Sequence, residues 1–118
     1  MIVKGSKQHI VKSGKYQAKL TEIKNIKSGY GERMAFVFEI VNGIIYQGTK
    51  LIRTCTPILK PNSNLNEIIQ SLNHKPLTPE QIYKGIDITQ FQGNEYQIKV
   101  SKRASKNGFY YSHIEQII

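Results

Sequence analysis

The 118-residue sequence lacks tryptophan and contains one cysteine, Cys55. A single cysteine excludes an internal disulfide framework and is typical of a reducing compartment, so we expect a cytoplasmic protein. No hydrophobic run approaches the length of about 18 residues that a membrane-spanning helix needs. The N-terminal residues also lack the apolar run of a secretory signal, so no such leader is predicted and no membrane partner is expected.

Acidic residues are scarce. The chain has 17 lysines and arginines against 8 aspartates and glutamates, which gives a net charge of +9. Residues 1–27 carry a net charge of +6, whereas residues 65–94 carry −1. A basic protein favours polyanionic partners, such as nucleic acid or an anionic membrane surface. The alternative interpretation is that lysine merely keeps a sheet soluble and protects its edges.

Patterns for catalysis and metal binding are missing as well. The three histidines, His9, His74 and His113, lie in different segments, and with one cysteine they form no zinc-binding pattern. Gly29 and Gly31 open no helix, so they do not form a phosphate-binding loop. We therefore predict a binding protein rather than an enzyme, with no catalytic residues, no metal and no cofactor.

The most regular pattern is a β-hairpin over residues 33–56. Apolar side chains occupy every second position of its first strand, at Met34, Phe36, Phe38 and Ile40. Asn42-Gly43 then predicts a tight two-residue turn, because both residues tolerate positive φ. The return strand from 44 to 56 is rich in β-branched residues and carries Tyr46, Lys50 and Arg53.

Three further strands are predicted: one that begins at Lys15, one over 95–101 and one over 109–118. In the first, Leu20, Ile23 and Ile26 can share one face only if an extra residue interrupts the alternation. A β-bulge is the simplest such interruption.

Between the hairpin and the fourth strand, the spacing predicts a helix over 65–72 with Asn64 as its N-cap. A second short helix is predicted with Thr78 as N-cap and Pro79 at its first position, ending at Gly85, with Ile82 and Tyr83 facing inward.

Five strands with a helix between the third and the fourth follow the order of the OB-fold, a small β-barrel. A ferredoxin-like fold needs two well-separated helices and four strands, and the first half of this chain has no helix pattern. We predict an all-β protein in which residues 15–118 form one domain, a five-stranded OB-fold with a helical insert. Residues 1–14 are predicted to form a mobile or edge segment.

Several short stretches, in order, resemble the single-stranded DNA-binding proteins of phages and mobile elements. They are SGKYQAKL, SGYGERMAFVFEI followed by NG, LNEIIQSLN, FQGNEYQIKV and KNGFYYSHIEQI, and together they span residues 13–117. The resemblance implies an OB-fold that binds single-stranded DNA with little sequence preference and protects it during replication or recombination. Bacterial housekeeping proteins of this type end in an acidic recruiting tail, whereas this sequence ends inside its last predicted strand.

A site for an unpaired strand needs cations for phosphates and flat rings for bases. OB-folds place it across the second and third strands, between the loops that join strands 1 to 2 and strands 4 to 5. The predicted nucleic-acid-binding residues are Tyr30, Arg33, Tyr46, Lys50, Arg53, Lys99, Lys102, Arg103, Lys106, Phe109 and Tyr110.

Other roles are open for some of these residues. Tyr30 can fold back onto the barrel end, Tyr46 can belong to the core, and Arg53 can pair with Glu39 across the hairpin. One of Phe109 and Tyr110 is expected to be buried, because alternate residues of a strand face opposite sides.

Two other functions compete with DNA binding. A small barrel can present a sheet edge to a protein partner, as an accessory factor or inhibitor does, and the same cations and rings can bind RNA. A homodimer or higher oligomer is compatible with the sequence, as are partners among replication proteins.

Overall fold

The computed structural model describes residues 11–29, 31–104, 106 and 108–118. In chain order it contains β1 (Gly14–Ser28), β2 (Gly31–Ile40), β3 (Lys50–Cys55), α1 (Asn64–Asn73), α2 (Pro79–Lys84), a 3-10 turn (Ile88–Phe91), β4 (Glu95–Ala104) and β5 (Tyr110–Ile117). The strands form one antiparallel sheet in the order β3-β2-β1-β4-β5. The predicted mostly-β protein with five strands and a helical insert after the third is confirmed. No helix in the described ranges is long and apolar enough to cross a membrane.

The central strand β1 contains the predicted bulge. Its register against β2 shifts between Leu20 and Glu22, so that Leu20 lies opposite Phe38 and Ile23 lies opposite Phe36. The backbone groups at this point are paired: the amide of Leu20 donates to Asn94, and its carbonyl accepts from Gly93. The bulge lets β1 pair with β4 along its first part and with β2 along the rest.

The hairpin of β2 and β3 is present, but its predicted two-residue turn at Asn42-Gly43 is wrong. β3 begins at Lys50 rather than at Ile44, and residues 41–49 form the connection. The chain continues along β1 after β2 ends, because the Val41 amide donates to the Gln17 carbonyl and the Gln17 amide donates to Asn42 Oδ1, at 3.0 Å. Asn42 therefore extends the pairing with β1 instead of reversing the chain.

One face of the sheet packs into the core. Fully buried side chains come from every strand and from α1 and its flanks; the largest are Phe36, Phe38, Leu20, Ile40, Ile69, Leu72, Ile98 and Ile114. The edge strands β3 and β5 lie against each other, and the Arg53 guanidinium donates to the carbonyl of Ile114. The sheet is thus curled until its two edges approach, which brings residues far apart in sequence to one seam.

Helix α1 begins one residue earlier than predicted. Ser63 is the N-cap in place of Asn64, because its hydroxyl accepts from the Asn66 amide at 3.1 Å. The side chain of Asn66 is buried and donates to the carbonyl of Pro61, which holds the entry to the helix.

Helix α2 has the predicted start and stop. Thr78 and Gln81 form a reciprocal capping box, Pro79 is in the first turn, and Gly85 ends the helix. Ile82 packs against the core, but Tyr83 is 90% exposed, so its predicted inward orientation is wrong.

The described part of the N-terminal segment lies against β5. Val11 is buried, its amide donates to Ser112 Oγ at 2.6 Å, and its carbonyl accepts from the same hydroxyl at 3.3 Å. Residues 1–10 lie outside the described residues. β4 is longer than predicted and runs to Ala104, so Lys102 and Arg103 belong to a strand rather than to a loop.

Candidate nucleic-acid interface

A cleft of about 390 Å³ opens at the seam between β3 and β5. Both strands contribute to it, together with one residue at the start of β2 and one in the first turn of α1. Its walls are formed by Arg33, Ile52, Arg53, Thr54, Asn64, Tyr111, Ser112 and His113. The cleft combines two guanidinium groups with an aromatic ring and an imidazole, which are groups that can contact phosphates and bases.

Arg33 reaches across the end of β3. Its Nη2 donates to Thr54 Oγ1 at 3.1 Å, and its Nη1 donates to Thr56 Oγ1 at 3.2 Å. These bonds use two of the five N–H donors of a guanidinium and fix the plane of the group. Arg33 is half-buried, so it is positioned at the cleft wall instead of moving freely in solvent.

Arg53 is held at the base of the cleft. It lies opposite the buried Phe36 in the register of β2 and β3, and its donor bond to Ile114 connects β3 to β5. The predicted alternative, a pair with Glu39, is wrong, since the cross-strand neighbour of Glu39 is Lys50. Arg53 therefore stabilises the seam and adds positive charge beneath it.

The hairpin formed by β4 and β5 borders the cleft with one of its two faces. Arg103 lies opposite Tyr111, and Ser101 lies opposite His113, so these four side chains share a face. Tyr111 and His113 line the cleft, which places Arg103 at its rim.

The other face of this hairpin carries Lys102, whose Nζ lies 4.2 Å above the ring centroid of Tyr110. This is a cation–π contact. Phe109 and Tyr110 are both exposed, so the expectation that one of them is buried is wrong; the half-buried member of this run is Tyr111. Lys106 is exposed in the connection between the strands. The predicted cations and rings of this hairpin therefore lie on its two faces and its tip, and only Arg103 adjoins the cleft through its strand partner.

Tyr46 belongs to the connection between β2 and β3 and not to β3. Its ring meets that of Tyr16 edge-on, with centroids 5.8 Å apart, and both rings pack on the border of the core. Burial, with a smaller contribution from Tyr46, raises the pKa of Tyr16. Tyr46 is thus partly buried against the core, as the core alternative supposed in part.

The remaining predicted residues lie elsewhere. Lys50 is exposed at the start of β3, opposite Glu39. Lys99 is exposed on β4 between Lys15 and Gln116, and it does not line the cleft. Tyr30 lies outside the described residues.

His113 is the titratable group of the cleft that the sequence did not single out. Burial lowers its pKa, as do the nearby charges of Arg103 and Arg53, while Glu115 opposes them. The imidazole is therefore mainly neutral at pH 7. The only signal for His113 and Tyr111 in the sequence is their shared parity in the last strand, and its meaning depends on the register with β4.

Cys55 is fully buried at the end of β3, and burial raises the pKa of its thiol. It is thus a core residue without thiolate character.

A comparison with protein-family models found no matching family, and no curated protein matches the chain.

Proposed function

We propose that this protein is an OB-fold protein that binds single-stranded DNA with little sequence preference, along the cleft between β3 and β5 and the adjoining hairpin of β4 and β5. The observation that carries the proposal is the junction of Arg33, Arg103 and Tyr111 at one seam. Guanidinium groups bind phosphates, and a tyrosine ring stacks on any base. Such contacts give affinity without base selection.

The sheet order supports the OB-fold. In this fold a bent first strand pairs on both sides, a helix follows the third strand, and the third and fifth strands close the barrel. Here β1 is bulged and pairs with β2 and β4, α1 follows β3, and Arg53 connects the edges of β3 and β5. Arg33 on β2 is bonded to Thr54 on β3, and this position across the second and third strands, where OB-folds carry their site, supports the proposal.

A role in protecting DNA during replication or recombination of a phage or mobile element rests on the sequence resemblance. Other functions receive support from different surfaces. An apolar groove of about 580 Å³ lies beside α1 and α2, bordered by Leu59, Leu77, Ile82 and Tyr83 among others, and it favours a protein-binding module as the second candidate.

The proposed function is tested by titrating the protein with an oligo-dT of about 16 nucleotides, observed through tyrosine fluorescence and repeated between about 50 and about 200 mM salt. We expect binding that weakens steeply with salt, and weaker binding to a duplex of equal length. An oligo-rU of the same length separates DNA from RNA preference. Absence of binding at low salt, or equal binding to the duplex, would contradict the proposal.

Phe109→Ala is expected to weaken dT binding while leaving folding intact. Phe109 is 71% exposed next to the cationic hairpin, and loss of a stacking ring costs roughly 1–3 kcal/mol per base. Tyr83→Ala is the matched control, because Tyr83 is an exposed ring on α2. Equal effects of the two substitutions in the oligonucleotide titration would show that the hairpin tip does not contact bases.

A further inference from the structure

The His113 end of the cleft has properties that exposed lysines on the surface do not share. Three arginines from three strands belong to this region: Arg33 from β2 and Arg53 from β3 line the cleft, and Arg103 from β4 lies opposite Tyr111. The charges of Arg103 and Arg53 act on His113. In the described part of the chain, the acidic group that acts on His113 is Glu115, on its own strand. Helix α1 contributes the uncharged Asn64 to the cleft, and its Glu67 lines a neighbouring pocket together with Arg53 and Glu115.

Two of these arginines are held by bonds within the protein, and their positions are fixed before any ligand arrives. Arg33 is held by Thr54 and Thr56, and Arg53 is held by the carbonyl of Ile114, the residue that follows His113. A fixed set of like charges at a partly buried site repels a further cation there. The same set attracts an anion, and an anion removes the repulsion.

Ser101 adds a second observation. Its hydroxyl oxygen is buried without a hydrogen-bond partner among the described residues, and Ser101 lies directly opposite His113 in the sheet register. Cross-strand side chains of such a pair lie about 5 Å apart at Cβ. A hydroxyl within reach of the imidazole can accept a hydrogen bond from one of its N–H groups. A charged His113 therefore has an acceptor within the protein and can direct its second N–H group to the cleft.

We infer that this end of the cleft is a phosphate subsite, and that entry of a phosphodiester group there is coupled to the uptake of one proton from solvent by His113. The inference rests on the proposed function and specifies how one phosphate of the bound strand is held. Without a phosphate, burial and the charges of Arg103 and Arg53 favour the neutral imidazole. With the phosphate in place, the imidazolium becomes a further charge-assisted donor to it.

The coupling fixes the sign of the pH dependence. Binding raises the pKa of His113 from a value below 6.5 in the free protein. Affinity is therefore highest below the pKa of the free protein, falls as the pH rises between the free and bound pKa, and is lowest and constant above the bound value. A rise of about one pKa unit corresponds to about tenfold tighter binding at low pH.

The test measures oligo-dT affinity and its salt dependence at about pH 5.5 and about pH 8, on either side of the usual titration range of histidine. For the unaltered protein we expect about tenfold tighter binding at the lower pH. We also expect the slope of log K against log salt to steepen by about 0.7, the value for one additional phosphate contact with a single strand. His113→Gln should abolish both effects.

Matched variants identify the residue responsible. His74→Gln should keep both effects, because His74 is exposed at the end of α1 and packs beside Tyr96. His113→Lys carries a fixed charge and should bind with little pH dependence, and circular dichroism checks that each variant folds. Equal pH dependence in His113→Gln and in the unaltered protein, or none in the unaltered protein, would overturn the subsite while leaving the proposed function in place. Absence of dT binding at both pH values would overturn the proposed function itself.

Discussion

Reversing the charges of Lys102, Arg103 and Lys106 to glutamate is expected to weaken dT binding by at least about a hundredfold at low salt. All three side chains are exposed on the hairpin of β4 and β5. An exposed ion pair is worth up to about 1 kcal/mol, so three lost contacts give about 3 kcal/mol, and repulsion adds to the loss. The salt dependence of binding should also become shallower by about 2 in log–log slope, as expected when three phosphate contacts disappear.

The control for this variant is reversal of Lys60, Lys75 and Lys84, which are exposed in the helical part of the chain. Each triple variant changes the net charge from +9 to +3, so long-range attraction falls by a similar amount in both. The control should keep most of the affinity. Similar losses in the two variants would show that net charge alone attracts DNA, and an unaffected hairpin variant would favour the protein-binding module.

Phe38→Ala is expected to have the largest effect on stability, lowering the free energy of unfolding by about 3–5 kcal/mol. Phe38 is fully buried, and its ring meets Tyr96 edge-on at 6.4 Å. The Tyr96 hydroxyl donates to the carbonyl of Leu72 in α1 at 3.0 Å, so a cavity at Phe38 loosens the contact of the sheet with its helix. Since small domains are stable by about 5–15 kcal/mol, this variant should unfold at a much lower urea concentration.

Phe109→Ala removes the same group from a position that is 71% exposed, so it loses much less buried area and should lower stability far less than Phe38→Ala. Urea unfolding followed by circular dichroism compares the two variants directly. If Phe38→Ala unfolds at the same urea concentration as the unaltered protein, the assignment of the Phe38 face to the core is contradicted.

The core face of the sheet could be predicted from the sequence because side chains alternate between the two faces of a strand, although Ala35 and Val37 on the other face of β2 are buried as well. The core contains Phe36, Phe38 and Ile40, as their alternation indicates. The bulge in β1 is predicted by the apolar residues after Leu20, which depart from a spacing of two. The longer connection of β2 to β3 did not disturb these faces. A two-residue turn at Asn42-Gly43 would place Phe36 opposite Thr49, whereas the structure places it opposite Arg53, an even shift that preserves which side chains face inward.

The cleft could be predicted only in part. Arg33 and Arg103 are predicted because OB-folds place their site between the two loops that carry them, but Tyr111 and His113 depend on the register of β4 with β5. A two-residue turn at Asn107-Gly108 would pair Arg103 with the residue after Tyr111, whereas the structure pairs Arg103 with Tyr111 itself, a shift of one residue. An odd shift changes which side chains lie opposite each other, and local sequence does not fix it.

The hydrogen-bond partners of Arg33 and Arg53 could not be predicted from the sequence either. The bonds from Arg33 to Thr54 and Thr56, and from Arg53 to Ile114, join residues 21 to 61 positions apart. They follow from the curl of the sheet that brings β3 to β5. The aromatic and β-branched residues around Tyr46 predict a strand there, but pairing of Val41 and Asn42 with β1 keeps Tyr46 in the connection.

Mapping of backbone amide shifts by NMR during titration with oligo-dT tests most directly whether an unpaired strand lies along the seam of β3 and β5. We expect the largest changes at Arg33, Thr54, Arg103, Tyr111 and His113, with small changes in α1 and α2. Changes confined to the groove beside α1 and α2, or to the outward face around Lys99, would contradict this site for the strand.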